Sequence, residues 1–97
     1  MTHSMSPSRA VTWQDFGKFL QHVRRRRGIS QERLALLLGC HRTHIWRLEH
    51  GKNRPSNVFL HCLKGACPLM EHEAEMLVKF MELHEQRWDT VSLADDE

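Results

Sequence analysis

No apolar run in this sequence approaches the roughly 18 residues that a membrane-spanning helix requires, so a helical membrane protein is excluded. The segment Met1 to Ala10 is polar and lacks the apolar core of a signal peptide, which leads us to expect a cytoplasmic protein and no membrane partner. Strands are missing as well: no segment alternates apolar and polar residues with period two. There is no internal repeat and no glycine-rich phosphate loop. A catalytic constellation is also absent. The serines fall in the N-terminal arm, at helix caps or in the C-terminal tail, and no acid pair stands out, so we expect no enzyme.

Cysteines are few and odd in number, Cys40, Cys62 and Cys67, which reads as reduced thiols. The histidines are more numerous, eight in all. Together with the cysteines they suggest a metal cluster at His61, Cys62, Cys67 and His72. Their spacing lacks the paired ligands of a structural zinc site, so we expect no metal and no cofactor.

What is present is a charge asymmetry. The chain has 97 residues and a net charge of +2. Through Lys64 it carries 12 Lys/Arg against 3 Asp/Glu; from Gly65 on it carries 2 against 9. A basic first two-thirds suits a polyanion such as nucleic acid. The acidic remainder is better fitted to protein contacts or to water.

Helical periodicity organises the rest into an all-α, five-helix chain. Residues 1–11 read as a flexible arm. Thr12 caps a first helix, with Asp15 in its first turn and Trp13, Phe16, Phe19, Leu20 and Val23 at helical spacing. Gly28 ends it. Ser30 caps a second helix, Gln31 to Leu38, with Leu34, Ala35 and Leu38 inward. Gly39 breaks it, and a third helix runs from Arg42 to about His50 with Ile45 and Leu48 inward. Ser56 caps a fourth, Asn57 to Lys64, stopped by Gly65. Pro68 suits the first turn of a fifth, which reaches about Trp88. The acidic tail, 89–97, reads as disordered. The organisation is thus an arm at 1–11, a domain at 12–65, a C-terminal helix within 66–88 and a tail.

Two short helices joined only by Gly39, Cys40 and His41 form a helix-turn-helix unit. Ala35 permits close crossing, and Gly39 supplies a positive backbone angle. Around that unit the pattern Arg24…Gly28-Ile29-Ser30-Gln31-Glu32-Arg33-Leu34-Ala35…Leu38-Gly39…Ile45…Leu48-Glu49-His50-Gly51…Arg54-Pro55-Ser56 resembles the lambda-repressor/Cro-like (XRE-type) family. The resemblance implies a compact five-helix domain whose third helix lies in the DNA major groove. It implies base reading by Arg42, Thr43 and Arg47, with His44 a weaker member. It implies phosphate contact by Gln31, His50, Lys52, Asn53 and Arg54, and an ion pair between Arg24 and Glu49. Gln31 is also placed to brace the start of the third helix. His41 departs from the small hydroxyl residue common at that cap and is expected to cap poorly or to touch phosphate.

Chemistry agrees with these roles. Arginine is the side chain best suited to bidentate contact with guanine, so we expect Arg42 or Arg47 to read one. Thr43 suits a thymine methyl or a phosphate. Trp46 sits beside the inward stripe, where it would pack on sugar and backbone or on the fourth helix. In the run Arg24 to Arg27, Arg25, Arg26 and Arg27 are candidates for phosphate contact or for a solvated helix end.

The fifth helix carries a heptad-like seam, Met70, Ala74, Leu77, Met81, His84 and Trp88, beside a stripe of Met76, Phe80 and Leu83. One stripe suffices for the domain core, so we expect the seam to form a homodimer. The expected function is that of a dimeric repressor reading a near-palindromic site in double-stranded DNA, nucleoid-associated when bound. The alternative is an antitoxin-like regulator whose C-terminal third binds a second protein. A thiol- or metal-responsive sensor is a third reading.

Overall fold

The computed structural model describes residues 11–95, with side chains described for 11–85. The residues before Val11, the side chain of the seam position Trp88 and the last two residues of the tail lie outside what is described. All regular structure among the described residues is helical: α1 (Trp13–Arg26), α2 (Gln31–Leu38), α3 (Arg42–Glu49), α4 (Asn57–Ala66) and α5 (Glu71–Asp95).

Each of the first four helices begins at a side chain that satisfies a backbone amide left without a partner inside the helix. Thr12 and Asp15 form a reciprocal capping box on α1: the Asp15 amide donates to Thr12 Oγ1 at 3.2 Å and the Thr12 amide to Asp15 Oδ2 at 2.8 Å. Ser30 accepts from the Arg33 amide, and Ser56 from the Phe59 amide. His41 caps α3 after all, its Nδ1 accepting from the Thr43 amide at 3.2 Å.

The core is built on α1. Phe16, Leu20 and Val23 are fully buried, and they meet Leu34, Ile45, Leu48, Leu60, Leu63, Leu77 and Phe80 from the other four helices. Phe16 sits between Phe80, edge-on at 5.2 Å between ring centroids, and Phe59 at 6.3 Å. Cys67 is buried in this cluster, and Cys40 packs half-buried against it; burial raises both thiols above their ordinary pKa.

Three boundaries and one face differ from the sequence reading. Gly65 does not stop α4, which continues to Ala66. The stop is Pro68. It forces the residue before it out of helical geometry, and Cys67 is extended at φ −119°, ψ 120°. Pro68 consequently precedes α5 instead of opening it, and α5 starts at Glu71. Its backbone remains helical past Trp88 to Asp95, since nothing from Asp89 onward breaks it.

The heptad seam divides. Leu77 is only 1% exposed and belongs to the chain's own core, with Met81 packed against that core and His84 edge-on to Trp13 at 6.2 Å. Met70 and Ala74 point outward, with Val78 beside them. The reason is that α5 packs against both α4 and α1. Two supporting helices cover a wider face than one, so both apolar stripes are largely used within the chain.

Candidate nucleic-acid interface

Helices α2 and α3 are joined by three residues, and the geometry of the turn rests on Gly39 at φ 71°, ψ 34°. A side chain there would strain the backbone. The Cys40 amide closes the turn by donating to the Ala35 carbonyl at 2.9 Å. Ile45 and Leu48 are then fully buried. That leaves the opposite face of α3 outward, and His41, Arg42, Thr43, Trp46, Arg47 and His50 are all exposed.

Two braces hold α3 in place. Glu49, its last residue, has a fully buried carboxylate that receives Arg24 Nε at 2.7 Å and Arg24 Nη2 at 3.2 Å. Gln31 Nε2 donates to the same carboxylate at 3.0 Å. A buried charge without such donors is costly, so all three residues are committed to this contact. The Arg24–Glu49 pair is therefore where the sequence reading put it. Gln31, however, braces the end of α3, not its beginning. The second brace is Gly17. A Cβ there would lie 2.6 Å from the Leu48 carbonyl oxygen and 2.7 Å from that of Glu49, so α1 and α3 approach more closely than any side chain permits.

The loop after α3 is tied back to it. Lys52 N–H donates to the Arg47 carbonyl at 2.8 Å, and Pro55 is fully buried, which anchors the far end. Lys52 and Arg54 are exposed; Asn53 is half-buried. Asn53 does more than line the loop: its Oδ1 accepts from Arg47 Nε at 3.2 Å. That bond occupies Arg47 Nε and not its terminal nitrogens.

Other candidates fall differently. His44 is half-buried with its ring edge-on to Phe59 at 5.7 Å, so it is mostly a packing residue. Trp46 is 38% exposed. Its indole lies face-on to the His50 ring, 3.9 Å between centroids and 19° between planes, and His50 Nδ1 is 2.8 Å from the Trp46 carbonyl oxygen. Arg42, Thr43 and Trp46 line a pocket of about 330 Å³ on the outward face of α3.

The arginine run ending α1 is split between two tasks. Arg25 and Arg27 are exposed. Arg26 instead reaches α5, where Nε donates to Glu73 Oε2 at 2.6 Å and Nη2 to Oε1 at 2.7 Å. The Met70 amide adds a third bond to Oε1, and His22 Nε2 lies 3.5 Å from Oε2. The Arg26 hydrogen bonds, seconded by the Met70 amide and the nearby His22, hold the buried Glu73 carboxyl below its ordinary pKa against the opposing effect of burial. No local pattern in the sequence announces this pair.

His22, His72 and Glu73 are the His/Cys/acid group brought close enough to share a cation among the described residues. The two oxygens of Glu73 are already taken by Arg26 and the Met70 amide. His61 and Cys62 are exposed on α4, and neither belongs to this group.

Comparison with known proteins bears on the same segment. A model of the helix-turn-helix domain family matches residues 15–77. Among solved structures, the restriction-modification controller protein C.AhdI from Aeromonas hydrophila is similar, with 33% identity, a TM-score of 0.57, and coverage of 63% of this chain and 92% of that one. No curated protein sequence matches. A family match across all of α2, α3 and their supports, on a fold shared with a controller protein, makes the chain a member of the XRE-type, lambda-repressor-like helix-turn-helix family and a DNA-binding transcription regulator.

Proposed function

We propose that the protein represses transcription by binding a near-palindromic operator as a homodimer, with α3 of each subunit in a major groove. The observation that carries this reading is the outward face of α3, where Arg42, Thr43 and Arg47 are exposed while the helix behind them is locked by Glu49 and Gly17.

Arg42 and Arg47 then read guanines by paired hydrogen bonds, and Thr43 contacts a neighbouring base or phosphate. Because Arg47 Nε is held by Asn53, its reading contact uses the terminal nitrogens. His41, His50, Lys52 and Arg54 lie along the rim of the same face and serve the phosphates, whose neutralisation supplies most of the affinity. In a dimer, the two copies of α3 stand about 34 Å apart, one turn of DNA. The outward residues of and just before α5, Met70, Ala74 and Val78, support pairing there; Met70 and Val78 are about half exposed. A protein seated on a promoter in this way blocks polymerase. The naming of the similar C.AhdI as a controller protein supports a regulatory role over an architectural one.

Selection of bound duplexes from a random pool tests the reading directly and should return a sequence with twofold symmetry. Arg42→Ala should then lower affinity for that sequence by about 5- to 150-fold, the worth of one bidentate base contact, with little change on unrelated DNA. Lys52→Ala should weaken every duplex alike and reduce the salt slope by about one. Equal losses on specific and unrelated DNA for Arg42→Ala would remove it as a base reader.

A further inference from the structure

The Trp46 indole is a large apolar group left in the open on the helix that faces DNA, 38% exposed. It is not loose. Stacking on His50 at 3.9 Å and the 2.8 Å contact of His50 Nδ1 with the Trp46 carbonyl hold both rings in one arrangement before any ligand arrives. An aromatic ring fixed in advance loses little rotamer freedom on binding. On the α-helix, residues three and four apart share a face. Thr43 and Arg42 stand three and four residues before Trp46, and these three residues together line the 330 Å³ pocket. Its lining combines one cation, one hydroxyl with a methyl, and one indole.

The major groove offers few things that such a lining would favour. Base edges there present donors and acceptors, and the apolar substituent among them is the methyl at C5 of thymine. 5-Methylcytosine carries the same group at the same position. We propose that the pocket formed by Arg42, Thr43 and Trp46 receives the C5-methyl of a 5-methylpyrimidine close to the guanine read by Arg42. The indole supplies the apolar wall, Thr43 adds its methyl, and the Arg42 guanidinium remains free for the guanine. Four residues separate Arg42 from Trp46, about 6 Å along the helix, against about 3.4 Å between stacked bases, so the two targets lie within about two base steps of each other. The inference rests on the reading of α3 as the DNA-contacting helix and specifies what that helix recognises.

The test needs no variant at its first step. Each thymine of the selected duplex is replaced in turn by uracil, which removes only the methyl, and dissociation constants are measured by fluorescence anisotropy. One position in each half-site should lose about fourfold, the worth of burying one methyl group. The same duplex with a C·G pair at that position, the cytosine plain or 5-methylated, distinguishes the two sources: a larger methylation effect on cytosine than on uracil assigns the pocket to the modified base, and the reverse assigns it to thymine. Each native cytosine of the site is likewise replaced by 5-methylcytosine in turn. Trp46→Ala should abolish the methyl effect, while Trp46→Phe should retain most of it; circular dichroism checks that both variants fold. Specific binding that is indifferent to every thymine methyl and every cytosine methyl overturns the pocket but leaves α3 as the reading helix. A methyl effect that survives intact in folded Trp46→Ala also overturns it. A pool that yields no preferred sequence removes sequence reading itself, and this inference with it.

Discussion

Gly17→Ala should destabilise the domain, although alanine is worth about 1 kcal/mol more than glycine in the interior of a helix. Gly17 lies within α1, buried, and has no positive φ that would require glycine. What it has is two backbone oxygens of α3 where a Cβ would be, at 2.6 Å and 2.7 Å, when ordinary contact begins at 3.4 Å. The shortfall at the nearer oxygen is thus about 0.8 Å. Carbonyl groups of a helix cannot rotate away as a side chain does, so α3 must retreat from α1 as a body. Forcing a methyl group into a packed interface costs about 1–3 kcal/mol, and a clash with backbone belongs at the upper end. After the propensity gain, a net loss of about 1–2 kcal/mol remains. With an m-value of about 1 kcal/mol/M for a domain of this size, the urea midpoint followed by circular dichroism should fall by about 1–2 M. Gly65→Ala is the matched control. Gly65 is also helical, in α4, and a Cβ there meets nothing within 4 Å, so the same substitution should raise stability by about 0.5–1 kcal/mol. Gly17→Ala should also weaken DNA binding under conditions where it is fully folded, because the reading helix has moved. A midpoint for Gly17→Ala at or above that of the wild type would show that α1 and α3 are not held as closely as argued.

Arg24→Ala leaves the buried Glu49 carboxylate with only Gln31 as donor and should cost about 3–5 kcal/mol in urea denaturation; a loss under 1 kcal/mol would mean that the pair is solvated. Glu73 makes a pH-dependent contribution. Its folded pKa is lowered, so the stability it adds is complete above the ordinary carboxyl value of about 4.5 and is lost as pH falls through the lower folded value. The gap in urea midpoint between wild type and Glu73→Gln should therefore be wide at pH 6 and shrink progressively as the pH is lowered below about 4.5, and a gap that does not change on acidification would refute the assignment. Leu77→Glu puts a carboxylate into the core and should abolish folding, whereas Val78→Glu, at a residue 46% exposed, should stay folded. If the outward face of α5 pairs two subunits, light scattering should show Val78→Glu as a monomer; a folded dimer would clear that face of the role.

How far the sequence could be read depended on the range of each interaction. Thr12 with Asp15, Ser30 with Arg33, and Ser56 with Phe59 are three residues apart, so every cap is a local pattern. Gly39 is legible for the same reason: a turn of three residues admits few geometries. The fold and the outward face of α3 follow from such signals together. Contacts between distant segments leave no comparable mark. Arg26 and Glu73 are 47 residues apart, and inside a run of four arginines nothing singles out Arg26 as the one that reaches α5. The face of α5 was ambiguous because a heptad-like spacing describes equally well a helix pairing with its twin and a helix lying in a groove between α1 and α4. Only the positions of those helices decide between the two.

Two further features have a local signature in the sequence. A glycine at position 17, amid the apolar spacing of α1, is the residue type expected where another backbone comes close. Trp46 and His50 are four residues apart, the spacing at which side chains on a helix meet. Stacking on His50 leaves the Trp46 indole 38% exposed, a position compatible with the contact to sugar and backbone that its hydrophobicity suggests. That position matters for the proposed recognition: an indole held by His50 beside Arg42 and Thr43 gives the outward side of α3 an apolar surface, and under the proposal made above binding depends on methyl groups as well as on hydrogen bonds.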